Sequence, residues 1–246
     1  RFDPEAVEIA AAAADFLARQ PRIALDWFVS YDVIVVGREK ITYTRSGTNL
    51  LSRGEGFYAY SENRDRVRDY FYDGGAFWLR NVEDDAYVEI PFAGSFETLV
   101  ERIRVEYDIP LPIWELLSRA GTDGLLAEVE AAAYLGETLF AGRPVHHLAF
   151  AQYDQDWQIW VSTDPERPEI VALIGTDPYT QGWPQYRAYF HNWDFDPEIA
   201  EGAFTFEPGP DAIRMALPKV ESAAAAELDA LLSGGARAGG GDAENQ

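Results

Sequence analysis

Cysteine is absent from this 246-residue sequence, methionine occurs once and histidine three times. A chain without cysteine forms no disulfide bonds, has no thiolate nucleophile and cannot bind zinc through sulfur. Positive charge is also scarce, because 20 lysines and arginines stand against 42 aspartates and glutamates, which gives a net charge of −22. Phosphate backbones and anionic membrane surfaces repel such a chain, so we expect no nucleic-acid partner.

Long hydrophobic runs are missing as well. No stretch approaches the ~18 consecutive apolar residues that a membrane-spanning helix needs. The sequence has no Gly-x-Ser-x-Gly or Ser-x-x-Lys motif, and its Gly74-Gly75 pair falls in a predicted hairpin rather than before a helix. We therefore predict no catalytic residue, no cofactor and no metal site, and we expect that the protein is not an enzyme.

Apolar residues are plentiful, at 47%, and aromatic residues reach 14%. A helix is predicted over residues 3–20, where Asp3 is a suitable N-cap and Pro4 suits the first turn. From Ile23 to Val35 every odd position is apolar or aromatic, which predicts a strand with one buried face. A strand of that length extends ~45 Å, so it must bend around a curved sheet.

The rest of the sequence predicts mostly short strands. They cover residues 41–44, 56–60, 66–72, 76–80, 86–90, 129–135, 144–153, 156–163, 168–175, 184–193 and 202–207. Two helices, 95–107 and 112–120, interrupt them. We predict a single domain over residues 1–219, followed by an Ala-rich helix and a disordered Gly-rich tail over residues 220–246.

The segment VHHLAFAQYDQDWQIWV, residues 145–161, contains the densest set of candidate functional side chains. On a strand, His146 and His147 point to opposite faces and cannot chelate one metal. His147 could meet Asp154 or Asp156 across the hairpin as an acid–base pair. A buried histidine with an ordinary hydrogen-bond partner is the more common arrangement.

Two tryptophans in the same segment also lie on opposite faces of their strand. Trp157 shares one face with Ile159, whereas Trp160 lies on the other. A sheet with water on one side alternates apolar and polar residues, so aromatic rings on both faces indicate that both are covered. The covered space is either a large packed core or a ligand cavity.

The residues HHLAF followed by DWQIW resemble a bacterial family of predicted periplasmic proteins of unknown function. The resemblance spans about residues 10–210. It includes the stretches DVIVVGREKITY (32–43), RDYFYDGGAFWL (68–79), YDIPLPIWELL (107–117), YLGETLFAGRPVHHLAF (134–150) and PQYRA (184–188). That family is similar in fold to the LolA/LolB lipoprotein carriers. The resemblance implies an α+β fold: a curved antiparallel half-barrel of about ten strands, covered on its concave side by helices.

The resemblance and the aromatic pattern together predict non-enzymatic binding of a hydrophobic ligand, a lipid or an acyl chain, between the sheet and the helices. The predicted ligand-binding residues are Trp27, Val29, Tyr31, Leu116, His147, Phe150, Trp157 and Trp160. Trp157 and Trp160 cannot both line one cavity if their strand is regular. The expected location is periplasmic, after removal of an upstream signal segment, and an envelope protein is a further expected partner.

Two alternative functions remain open at this stage. The protein is an envelope sensor or interaction domain if its aromatic interior is fully packed. It is a hydrolase if a histidine–aspartate pair acts on a substrate.

Overall fold

The structure, a computed structural model, describes residues 2–35, 39–107, 109, 112–118 and 124–220. Its helices are α1 (Pro4–Arg19), α2 (Phe96–Tyr107) and α3 (Pro112–Leu117). Its strands are β1 (Arg22–Ile34), β2 (Lys40–Ser52), β3 (Gly56–Asn63), β4 (Arg66–Tyr72), β5 (Ala76–Asn81), β6 (Ala86–Pro91), β7 (Ala131–Phe140), β8 (Arg143–Ala151), β9 (Asp156–Ser162), β10 (Ile170–Thr176), β11 (Gln185–Asp194) and β12 (Ile213–Arg214). The predicted Ala-rich helix and Gly-rich tail lie outside the described residues, apart from Val220.

The twelve strands form one open, curled sheet in the order β12-β6-β5-β4-β3-β2-β1-β11-β10-β9-β8-β7. All neighbours are antiparallel except β12, which pairs in parallel with β6. The predicted α+β half-barrel is therefore confirmed, with twelve described strands instead of about ten. The long strand β1 lies near the middle, where it pairs with β2 over its whole length.

Helix α1 begins as its sequence predicts. Asp3 caps it by accepting a hydrogen bond from the Glu5 backbone N–H at 3.2 Å, and Pro4 occupies the first position. Its buried face consists of alanines and Leu17. Because alanine side chains are small, the helix lies close against β7, β8 and β9.

The sheet has two unlike faces. The inner face, toward the helices, carries the main hydrophobic core, and the outer face points away from them. In β1 the odd positions, Ile23 to Tyr31, belong to the inner face, as the alternating pattern predicts. A smaller separate cluster lies on the outer face of β8, β9 and β10, and it contains Val145, Trp160, Val171 and Ala172.

The two ends of the inner face also differ. At the packed end the strands are joined by the β2–β3 and β4–β5 turns, at residues 53–55 and 73–75. At the polar end, the opposite end of the same strands, lie the β3–β4 and β5–β6 turns, at residues 64–65 and 82–85.

Strand β2 is much longer than predicted. The sequence predicted only residues 41–44, and the Ser46-Gly47-Thr48-Asn49 stretch that follows consists of residues typical of turns. Instead, β2 continues to Ser52, since it pairs with β1 on one side and β3 on the other. The Trp27 ring and the Tyr60 carbonyl occupy the space that a side chain at Gly47 would need.

The predicted strand 202–207 is wrong. Residues 201–204 form turns, and the segment crosses the outer face of the sheet. There the Phe206 ring lies 5.5 Å from Phe71 and 5.3 Å from Tyr87, and Phe204 is buried beside it. The alternation of phenylalanines arises because these rings cover a sheet and not because they belong to one.

The chain then passes around the β6 edge. The Ile213 N–H donates to the Asp85 carbonyl at 2.9 Å, which begins β12. Further on, the Val220 N–H donates to the Glu106 carbonyl of α2 at 2.7 Å, and the Lys219 ammonium lies 2.7 Å from the Glu106 carboxylate. The segment 204–220 thus runs from the outer face to the helices on the inner side.

Candidate functional site

The candidate site begins with a wall on the inner face of β1. Trp27, Val29 and Tyr31 alternate with polar or exposed residues, so period two places all three on the helix side of the sheet. The Trp27 indole N–H donates to the Asn49 side-chain oxygen at 2.8 Å, so its one polar group is satisfied although buried.

Strands β8 and β9 add a second pair of rings to the same face. Phe150 and Trp157 are direct cross-strand partners, and their rings stack at 4.2 Å with an interplanar angle of 19°. Both belong to the main core together with Trp27 and Val29. The structure therefore brings the predicted residues of β1, β8 and β9 into one apolar inner wall.

A cover with an apolar underside packs against the main core. It consists of α2, α3 and residues 124–129, from which Trp114 is buried and Leu116, Leu125, Leu126 and Val129 are half-buried against the core. Leu116, the predicted site residue of α3, thus lies in the cover. Both the sheet face and the cover are apolar where they meet.

Arg53, just after β2, ties the cover to the packed end of the sheet. Its guanidinium donates to the carbonyl of Leu17 in α1 at 3.1 Å and of Leu117 in α3 at 2.8 Å. It also pairs with Glu97 in α2 at 3.1 Å. One side chain thereby satisfies backbone acceptors at the ends of two helices.

In this conformation the inner wall is covered. The relative solvent exposure is 6% for Trp27, 3% for Val29, 4% for Phe150 and 5% for Trp157. A chain-like ligand on this wall must therefore displace protein side chains that now bury it.

His147 and Trp160 lie on the other side of the sheet. Their rings stack at 4.4 Å with an interplanar angle of 15°, and His147 Nε2 is 2.9 Å from the Gln158 side-chain oxygen. Trp160 belongs to the outer cluster with Val145 and Val171. These two predicted site residues therefore do not line the space between sheet and helices, which corrects their assignment to that cavity.

The histidine pair behaves as strand geometry predicts. His146 is on the inner side, where Nδ1 is 3.0 Å from the Tyr134 hydroxyl, whereas His147 is on the outer side. Among the described residues, neither histidine bonds to a carboxylate, so the histidine–aspartate pair of the hydrolase hypothesis is not formed. Nor do the described residues contain a group of three side chains that could hold a metal ion.

A charged network fixes the polar end on the outer face. Burial alone would raise the pKa of Asp32, but hydrogen bonds from Arg187, Thr42 and the Gln185 N–H, together with the Arg187 charge, lower that pKa to about 2. Two Arg187 nitrogens contact the two carboxylate oxygens at 3.2 and 3.0 Å. This network joins β1, β2 and β11 by polar contacts.

Sequence reasoning missed a group of arginines at the polar end of the inner face. Arg45 of β2 and Arg66 and Arg68 of β4 line a cleft of about 370 Å³ beside the β1 wall. A usable signal was present, because Arg66, Arg68 and Tyr70 alternate within a correctly predicted strand. Arg45 was out of reach, since it lies in the part of β2 that was not predicted as strand.

None of the described helices is long and apolar enough to cross a bilayer. Among the solved structures that resemble this fold, three illustrate the similarity. LprF from Mycobacterium bovis matches with a TM-score of 0.50 and 12% identity, over 81% of this chain and 97% of that chain. The lipoprotein LppX from Mycobacterium tuberculosis matches with a TM-score of 0.41 and 10% identity, over 80% of this chain and 100% of that chain. A LolA superfamily protein from Nitrosomonas europaea matches with a TM-score of 0.36 and 12% identity, over 82% and 97% respectively.

The fold is thus a helix-covered half-barrel that LprF shares. Residues 6–217 match the family described as "Predicted periplasmic protein (DUF2092)", and the chain belongs to that family. The predicted family resemblance and periplasmic location are confirmed at this level. No curated protein matches the chain in sequence.

Proposed function

We propose that this protein binds a hydrophobic ligand, a lipid or an acyl chain, on the inner wall beneath its helical cover. The supporting observation is the apolar wall of β1, β8 and β9. It belongs to the same hydrophobic core as the cover, which consists of short helices and a connecting segment. An acyl chain can substitute for the side chains of the cover, because both present hydrocarbon to the same rings.

Binding of this kind needs few polar contacts. Burying ~12 methylene groups contributes ~10 kcal/mol before the costs of ordering the ligand and displacing the cover. Trp27, Val29, Tyr31, Phe150 and Trp157 are the proposed wall, and Leu116 is the proposed contact from the cover. His147 and Trp160 are not part of this site.

The experiment is a fluorescence titration with N-phenyl-1-naphthylamine, an uncharged apolar probe. We compare the wild type with Val29→Thr on the inner wall and with Val171→Thr, its matched control on the outer face. Both valines are buried in strands, at 3% and 4% exposure, so the isosteric change costs the fold a similar amount. We expect Val29→Thr to weaken probe binding by roughly five-fold, because it places a hydroxyl on the wall, and Val171→Thr to leave it unchanged.

A second function is favoured by the low exposure of the wall. If the inner face is a permanently packed core, the protein is an envelope interaction domain. The wild type then gives no probe fluorescence, and native mass spectrometry of the purified protein finds no bound lipid. That pair of results would overturn the binding proposal.

A further inference from the structure

Three arginines converge on the inner face at the polar end. Arg45 lies on β2, and Arg66 and Arg68 lie on β4, on the two sides of β3. The strand between them presents only Ser61 and Asn63, which pair with Arg68 and Arg66. These short side chains leave open the cleft of about 370 Å³, which Asp65 and Tyr70 complete.

The positive charge of this cleft exceeds its negative charge, because Asp65 is the one acidic residue among the described residues that line it beside three arginines. In the part of the chain that the structure describes, Arg45, Arg66 and Arg68 form no ion pair with a carboxylate. Asp65 is 81% exposed and lies 3.8 Å from Arg64, which is not among the residues that line the cleft. Three arginines without a carboxylate partner among the described residues are unexpected in a chain whose net charge is −22.

Arg45 shows most clearly that an acceptor is missing in the cleft. Its Nε is buried and has no hydrogen-bond partner within the described residues. A buried N–H without an acceptor is costly, and a guanidinium matches the two oxygens of a carboxylate or phosphate. By contrast, Arg80 on the outer side of the neighbouring strand is paired with Asp85 at 2.8 Å.

The cleft is continuous with the proposed wall. Arg45 is the cross-strand partner of Val29, and its guanidinium lies over the Tyr31 ring at 5.8 Å from the ring centroid. A molecule whose hydrocarbon lies along Trp27, Val29 and Tyr31 therefore brings its end group to Arg45.

We propose that the cleft of Arg45, Arg66 and Arg68 binds the anionic head group, a carboxylate or a phosphate, of an amphiphile whose hydrocarbon lies on the inner wall. This inference rests on the proposed function and adds the chemical class of the ligand. Charge-assisted, bidentate hydrogen bonds from arginine select the head group. The wall binds the hydrocarbon of the ligand whatever the charge of its head group.

The test uses four competitors with the same 18-carbon monounsaturated chain against the uncharged naphthylamine probe. Oleate and lysophosphatidylglycerol carry an anionic head group, whereas oleyl alcohol and lysophosphatidylcholine carry no net charge. We expect each anionic competitor to displace the probe at roughly ten-fold lower concentration than its counterpart without net charge, because the choline ammonium of lysophosphatidylcholine offsets its phosphate. A larger advantage for oleate identifies a carboxylate ligand, and a larger advantage for lysophosphatidylglycerol identifies a phosphate ligand.

Variants test whether the cleft causes the preference for anionic competitors. Arg45→Gln should remove most of this preference, and so should Arg66→Gln at an exposed side chain. Both variants should leave displacement by oleyl alcohol unchanged. Arg64→Gln is the matched control, because it removes the same charge from the same hairpin at a side chain that is 95% exposed. Arg64→Gln should keep the wild-type preference.

Two results contradict the inference in distinguishable ways. If all four competitors act equally and neither arginine variant matters, while Val29→Thr still weakens probe binding, the head-group site is wrong and the apolar site stands. If the wild type binds neither the probe nor any competitor, the proposed function itself fails, and the head-group site fails with it.

Discussion

The packed end and the polar end of the inner face belong to the same strands but carry opposite kinds of side chain. Strand β3 has the fully buried Phe57 near its start, at the packed end, and the exposed Asn63 at its last position, at the polar end. Strand β4 runs the other way, from exposed Arg66 to buried Tyr72. The change from rings to polar groups thus occurs on adjacent strands at the same level.

The ring contacts explain what the packed end does. Phe57 meets Tyr72 on β4, Phe77 on β5, and Phe96 and Trp114 on the two helices, at centroid distances from 4.2 to 6.2 Å. Sheet and cover are therefore locked together there. At the polar end the arginines line a cleft instead. The packed end therefore contributes to the stability of the fold, and the polar end leaves room for a ligand on the same face.

The largest expected effect comes from breaking the packed end. Phe57→Ala should lower the free energy of unfolding by about 3–5 kcal/mol, because it leaves a cavity among four rings. Urea denaturation followed by tryptophan fluorescence measures it. Phe28→Ala is the control, since Phe28 is on the outer face and 39% exposed, and it should cost less than about 1 kcal/mol. Equal losses would show that the packed end has no special role.

An intermediate effect is expected from acid, through Asp32 on the outer face, at the level of the polar end. Its folded-state pKa, about 2, lies below the unfolded value of about 4. The network therefore stabilises the fold above that unfolded value, by about 2 kcal/mol, and this contribution is lost as the pH falls toward 2. Unfolding free energies between pH 5 and pH 2 should show the loss in the wild type.

Asp32→Asn should flatten that pH profile, because it removes the titrating group. Asp15→Asn, which removes an exposed carboxylate from α1, should retain the wild-type slope. A profile that keeps its slope in Asp32→Asn would assign the acid sensitivity to other carboxylates.

The smallest effect is expected on the outer face. His147→Ala removes a hydrogen bond to Gln158 and a stack on Trp160, so it should destabilise the fold by about 1 kcal/mol. Naphthylamine binding should not change, since His147 is on the side away from the wall. If His147→Ala weakens probe binding as much as Val29→Thr does, the two faces are not independent.

The sequence predicted the wall better than it predicted its surroundings. Strict alternation from Ile23 to Tyr31 located β1 and its inner face, because one side of that strand is buried throughout. The opposite orientation of Trp157 and Trp160 followed from the same rule. Which of them faces the helices could not be predicted, because both are large, apolar and covered.

Other features depended on contacts that a single sequence does not show. Gly47 lies in a strand because the Trp27 ring needs its space, yet its neighbours are residues typical of turns. The Phe204–Phe206 alternation predicted a strand because a covering segment can repeat the period of the sheet it covers. The arginine cleft combines a correctly predicted strand with an unpredicted one, so it appears only in three dimensions.

The segment that passes around the β6 edge has a consequence for the order of folding. Residues 204–220 dock on β3, β4, β6 and α2, and these surfaces exist only after the earlier part of the chain has assembled. Until that segment arrives, Ala86 and Tyr87 of β6 offer unpaired backbone groups to any other extended chain. Its arrival closes this part of the sheet edge to pairing with another copy, and a chain cut before Phe204 would leave it open.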